Sequence, residues 1–281
     1  MFQRLMSVCV LLLAMAPAQA GQQKPKTAAP QAHQQPPKII ILKADEWKCS
    51  VQDVEKVLLS ASGQMWKYFP DRKLPAIAVE PKGGPIVLFK RGPEGQVRVR
   101  LNTGDRLWAQ MAYQFAHEFT HVLCNYDDKH APTKWFEESL CETASLFALR
   151  RMADAWQVDP PYPNWKSYAP SLSSYAADRI AASALPAGKA FPQWYRENAD
   201  ALRASSTDRS RNTLVATVLL PLLEAQPDAW ESVTWLNEEN FTGDYTFTDH
   251  LKAWRRHCPP KHRAFVTKVA ETFGIDLGAA D

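Results

Sequence analysis

The sequence predicts an α+β protein with a strand-rich N-terminal half, a central pair of helices and a mainly helical C-terminal half. Three observations carry this. Runs of β-branched and alternating apolar residues cluster between residues 39 and 101. An apolar stripe at steps of three and four runs from Trp108 to Val122. Beyond about residue 170, the periodic segments near 173–184, 191–204, 211–225, 247–257 and 260–274 all repeat as helices.

The ends and the composition set bounds. Arg4 is the only early charge, an apolar run spans Val8 to Met15, and Ala18-Gln19-Ala20 follows. That pattern predicts a secretory signal over residues 1–20, cut after Ala20, and hence an exported protein, periplasmic or secreted. The apolar run is too short to span a bilayer, so no stable membrane insertion is expected; an uncleaved anchor is the alternative. Residues 21–37 hold four prolines and no apolar period, which reads as an extended linker. Cys9 leaves with the signal, and Cys49, Cys124, Cys141 and Cys258 remain, an even number for an oxidising compartment. Buried free thiols are the alternative to disulfides. Net charge is only +3, with both signs scattered along the chain, so nucleic acid is not expected as a partner. Ten Trp and 46% hydrophobic residues indicate a substantial core. The residues beyond the linker, about 240 of them, suit one large domain or two lobes, divided here as 38–153 and 154–281.

In chain order, Ile39 to Leu42 reads as a buried strand, and Ser50 as the N-cap of a helix opening at Val51. Pro75 to Val79 reads as a strand. Ile86–Phe89 and Val97–Leu101 form a hairpin around Gly92-Pro93-Glu94-Gly95. Arginines alternate with apolar residues over 97–101, as expected of an edge strand, so residues 86–101 are the region able to pair with an extended peptide. Asp105 is expected to cap a helix over 106–123. Its stripe of Trp108, Met111, Phe115, Phe119 and Val122 faces a core. A second face carries Tyr113, Gln114, His117, His121 and Cys124.

His117 and His121 are four apart, so on a helix their imidazoles lie one above the other and can bind one Zn²⁺, with Glu118 beside them able to act as a general base. His117-Glu118-Phe119-Thr120-His121 resembles the signature of the zincin metallopeptidases. Two continuations supply a third ligand. Asp127 stands where metzincins carry a third histidine, but Cys124 replaces their glycine and no methionine turn follows. Lys134 to Ala144, containing Trp135-Phe136-Glu137-Glu138-Ser139-Leu140-Cys141-Glu142, resembles the downstream glutamate helix of the gluzincins more closely. Glu137 is a further alternative ligand, and His130 reads as a solvated loop residue.

The gluzincin resemblance covers residues 105–147 and implies a zincin-like fold. It implies one Zn²⁺ per chain held by His117, His121 and Glu138, with Glu118 as base and Glu142 orienting His117. It also implies a peptide or protein substrate, with endopeptidase action favoured because no aminopeptidase motif precedes the helix. An oxyanion donor is expected from the C-terminal lobe, with Tyr175, Tyr245 and His250 as candidates. If both helices hold one metal, Cys124 and Cys141 leave it on adjacent helices, which suggests the pairing Cys124–Cys141 with Cys49–Cys258. Two rivals stay open: a metzincin-like protease using Asp127, and a non-catalytic envelope-binding protein that keeps a structural zinc. In the second, the Pro- and aromatic-rich residues 159–175 would be the binding surface.

Overall fold

Four short strands, β1 (Ile39–Ile41), β2 (Ile77–Glu80), β3 (Ile86–Leu88) and β4 (Val97–Arg100), form one mixed sheet in the order β1-β2-β4-β3. The computed structural model describes residues 36–127 and 131–279. The expected signal over 1–20, its cleavage point at Ala20, nearly all of the 21–37 linker, and His130 lie outside the described residues. β1, β2 and β4 run parallel, and β3 returns antiparallel to β4 as a hairpin. A parallel pair needs a crossover; between β1 and β2 it is α1 (Val51–Trp66), whose cap Ser50 accepts the Asp53 N–H at 3.4 Å.

β4 is interior, not an edge; the edges are β1 and β3. The alternating arginines that suggested an edge have another cause. Arg98 and Arg100 reach Glu80 on the neighbouring strand, at 3.1 and 3.7 Å, and Lys43 reaches it at 2.8 Å. Burial works to raise the Glu80 carboxyl, but the bonds from Lys43 and Arg98 outweigh it and hold the group below the ordinary range.

The turn into β3 depends on close approach. A Cβ at Gly84 would stand 1.9 Å from the Arg100 carbonyl oxygen. Gly84→Ala is therefore expected to destabilise the protein by about 1–3 kcal/mol, read from urea unfolding. An unchanged midpoint would mean that β3 can move off β4 freely.

α2 spans Trp108–Leu123 and starts two residues later than expected. Asp105 does not cap it: the residue is left-handed at φ 55, and its N–H is spent on the Trp47 carbonyl at 2.6 Å. Leu107 sits at the cap position without a side-chain bond. α2 is held instead by packing. Trp108 packs against Trp165 with ring centroids 5.4 Å apart, and Tyr168 accepts the Ala109 N–H at 3.3 Å. The aromatic segment after Asp159 thus forms a 3-10 turn, Pro163–Tyr168, that pins the start of the site helix.

α3 (Lys134–Val158) is the centre of the molecule and passes unbroken through residues 153 and 154. Every residue from Trp135 to Leu149 is buried except Glu138. A helix buried all round needs partners on every side. They are α1, α2, α4 (Ala169–Ala182) and α6 (Arg209–Ala225). Pro221 lies inside α6, whose buried residues run from Asn212 to Leu223; tertiary packing there offsets the lost hydrogen bond. α5 (Phe191–Ala204), α7 (Phe247–His257) and α8 (Pro260–Thr272) complete the fold, with Thr246 and Asp249 forming a capping box at α7. One hydrophobic core runs from Ile39 to Leu277. Among the described residues no helix is long and apolar enough to cross a membrane.

Candidate metal centre

α2 and α3 lie packed along each other, and their facing polar residues form one buried cluster. The His117 and His121 rings are 5.1 Å apart, one turn of α2. Both imidazoles present Nε2 to the same carboxylate: His117 at 3.2 Å from Glu138 Oε2, His121 at 3.6 Å from Glu138 Oε1. Their Nδ1 atoms face away, His117 to Glu142 at 3.3 Å and His121 to Glu137 at 2.5 Å. Tetrahedral ligands about 2.0–2.1 Å from a zinc ion stand about 3.3 Å apart, and the two contacts to Glu138, one to each of its oxygens, bracket that spacing.

The charge balance points the same way. Glu118, Glu137 and Glu142 are buried and Glu138 nearly so, yet only one lysine joins them: Lys134, 2.9 Å from Glu137. Buried like charges are costly unless compensated. Here the histidines respond. Burial works to lower His117, but its bonds to Glu138 and Glu142 push it up to about 9. His121 is raised well above its ordinary value against the same burial, by Glu137 and Glu138. Glu118 lacks a cationic partner of its own; burial pushes its carboxyl up and the Glu138 charge adds to that, while the two histidines and a bond from the Val87 backbone draw it back.

His117, His121 and Cys141 also bring one ligand atom each to within 4.8 Å of one another, a group that can hold a metal ion. Cys141 is fully buried, and desolvation together with its bond to the Cys124 thiol raises it well above the ordinary thiol range.

No family model, curated protein or solved structure matches this chain. The geometry of the cluster therefore carries the functional argument.

The cluster opens on a cavity of about 510 Å³. His117, Glu118, His121, Glu138, Glu142 and Tyr175, all singled out in the sequence, line it together. Tyr245 and His250 do not. Both bond to Thr133 at the start of α3, Tyr245 at 3.2 Å and His250 at 2.5 Å, and burial pushes His250 down to about 4. They support the glutamate helix from behind and are not placed as oxyanion donors. Asp127 does not line the cavity either.

The expected disulfides are absent: Cys49, Cys124, Cys141 and Cys258 are free thiols. Cys124 and Cys141 do meet, as hydrogen-bonded thiols. Cys258 bonds the Ser232 carbonyl at 3.7 Å, whereas Cys49 sits beside Asp53 and Asp105, so these two occupy different neighbourhoods.

Sequence reasoning missed the partners of the orienting acids. Tyr113 donates to Glu142, as does Thr213 at 2.9 Å; Asn237 donates to Glu137 at 2.8 Å. Tyr113 had a local signal, one turn before His117 on the same face. Thr213 and Asn237 had none, being far away in the chain. Glu137, weighed as an alternative ligand, stands against Nδ1 of His121 at 2.5 Å. Glu137→Gln is expected to weaken metal affinity by about 10–100-fold while leaving all three donors of the His117–His121–Glu138 set in place, as measured by competition with a chromogenic chelator. Unchanged affinity would mean that packing alone orients His121.

Proposed function

We propose that the protein is an exported zinc metallopeptidase of the gluzincin kind, with one zinc ion per chain held by His117, His121 and Glu138. The observation that carries this is the sorting of the ring nitrogens: both Nε2 atoms converge on Glu138, while Glu142 and Glu137 hold the two Nδ1 atoms. Zinc bound there would polarise a carbonyl as a Lewis acid and lower the pKa of water to about 7.

The remaining work falls to side chains of this chain. Glu118 is 4% exposed, lies beside both histidines, and is the residue placed to take a proton from water and return it to the leaving amine. Its raised carboxyl brings it closer to the working pH of a general base. β3 is one edge of the sheet and lines the cavity through Ile86 and Val87, so an extended peptide could lie along it, taking over the Val87 N–H from Glu118 and the Leu88 carbonyl from Tyr126. Tyr175 accepts the Arg179 guanidinium at 2.8 Å, which leaves its own hydroxyl proton to donate to a developing oxyanion. An antiparallel edge strand above two ligand-bearing helices is also the arrangement expected of a zincin-like upper lobe.

One observation favours a variant of this reading, the proximity of Cys141 to both histidines. Glu138 is preferred because it lines the cavity, whereas Cys141 is fully buried, does not line it and is bonded to Cys124. The non-catalytic rival gives no role to Glu118, a buried carboxylate that a structural zinc site does not need. Incubating the zinc-loaded chain with a quenched peptide library tests the proposal: cleavage is expected. Stoichiometric zinc with no cleavage of any member would favour the binding protein.

A further inference from the structure

Three cationic side chains line the cavity: Lys134, Arg179 and Arg209. Lys134 is committed to Glu137. The other two make no ion pair among the described residues. Arg72 and Arg255 make none either, but those two are spent on backbone carbonyls, whereas Arg179 and Arg209 line the cavity. Asp208 is not available to Arg209, because its carboxylate caps α6 and pairs with Arg211. The cavity carboxylates are likewise engaged: Glu138 by the histidines, Glu142 by Tyr113, Thr213 and His117, and Glu118 by the Val87 backbone.

We infer that the substrate carries a carboxylate, received by Arg179 and Arg209. This rests on the peptidase reading of the same site and specifies its substrate. Arg179 is already held in place: its guanidinium lies 5.2 Å over the Tyr113 ring and 5.1 Å over the Tyr175 ring, with one N–H spent on the Tyr175 hydroxyl. Cation–π contact with two rings and the bond to Tyr175 hold the guanidinium at this place and leave its other donors for a bidentate acceptor. Tyr113 also donates to Glu142, which faces His117, so this arginine is two side chains removed from the ligand histidine. Arg209 is the first residue of α6, where the helix dipole adds to the attraction for an anion. A carboxylate there has two sources, a free peptide C-terminus or an acidic side chain next to the scissile bond.

The test uses the zinc-loaded chain with Glu118→Gln, so that binding is read without turnover. Fluorescence anisotropy compares a blocked peptide ending in a free carboxylate with its C-terminal amide, and an amidated peptide holding internal Glu with its Gln twin. In at least one pair the carboxylate member is expected to bind about 10–100-fold more tightly, and which pair does so identifies the source. Added NaCl is expected to weaken the carboxylate member and spare its neutral twin. The ratio is expected to fall towards one in Arg179→Gln/Arg209→Gln. Equal binding within both pairs overturns the inference without recourse to any variant. So does a ratio that survives the double substitution. Discrimination in a chain that cleaves nothing with Glu118 intact would remove the peptidase reading and keep the carboxylate site. Cleavage without discrimination would do the reverse.

Discussion

Glu118→Gln is expected to reduce peptide hydrolysis by about 10²–10⁴-fold with zinc content unchanged at one ion per chain. The amide keeps the shape of the side chain and its bond from the Val87 backbone but cannot take a proton. The fold should tolerate the exchange. Glu118 is buried with its carboxyl already pushed up by that burial, so a neutral group there relieves charge in a cluster with four acids and one lysine. Zinc analysis alongside initial rates separates the two roles. A variant of wild-type activity would remove Glu118 from the mechanism, and one that loses both activity and zinc would place it among the ligands.

Metal removal should have the second large effect. Chelation leaves the cluster with its negative excess, and zinc at about 1,000 times its dissociation constant stabilises the folded state by about 4 kcal/mol. For a chain of this size that corresponds to roughly 10 °C in Tm, measured by calorimetry with and without a chelator. The ligand set is resolved by three variants. Glu138→Ala is expected to lose more than about 100-fold in zinc affinity, a larger effect than changing an orienting residue. Asp127→Ala and Cys141→Ser are expected to stay within about threefold of the parent. Loss confined to Cys141→Ser would move the third ligand to the thiol, and loss confined to Asp127→Ala would restore the metzincin reading.

The parts of this molecule legible in the sequence are those where the physics is local. The stripe from Trp108 to Val122 and the four-residue step between the histidines follow from helix geometry alone, and α2 ends at Leu123 as the stripe implies. Glu138 and Glu142 could be placed on one face of α3 for the same reason. What failed depended on distant neighbours. Arg98 and Arg100 looked like edge residues because Glu80, on the adjacent strand, is not visible from their own segment. Asp105 has the composition of a cap but is drawn into a left-handed turn by Trp47, 58 positions earlier. Tyr245 and His250 had suitable chemistry, and only the packing of α7 against the start of α3 shows that they face Thr133 rather than the cavity. The cysteines are the intermediate case: Cys124 and Cys141 were correctly brought together by helix geometry, yet they meet as thiols.

The burial of α3 limits how this protein can change. From Trp135 to Leu149 only Glu138 escapes the interior, so turning the helix by one residue would drive a carboxylate into the core and swing an apolar side chain into the cavity. Sliding along its axis is opposed in the same way by neighbours on all sides. The azimuth and height of the glutamate are thus determined by apolar packing that takes no part in the chemistry proposed for the site. Residues at the rim, on β3, on α4 and at the start of α6, can by contrast be exchanged without resetting the screw position of the helix that carries Glu138.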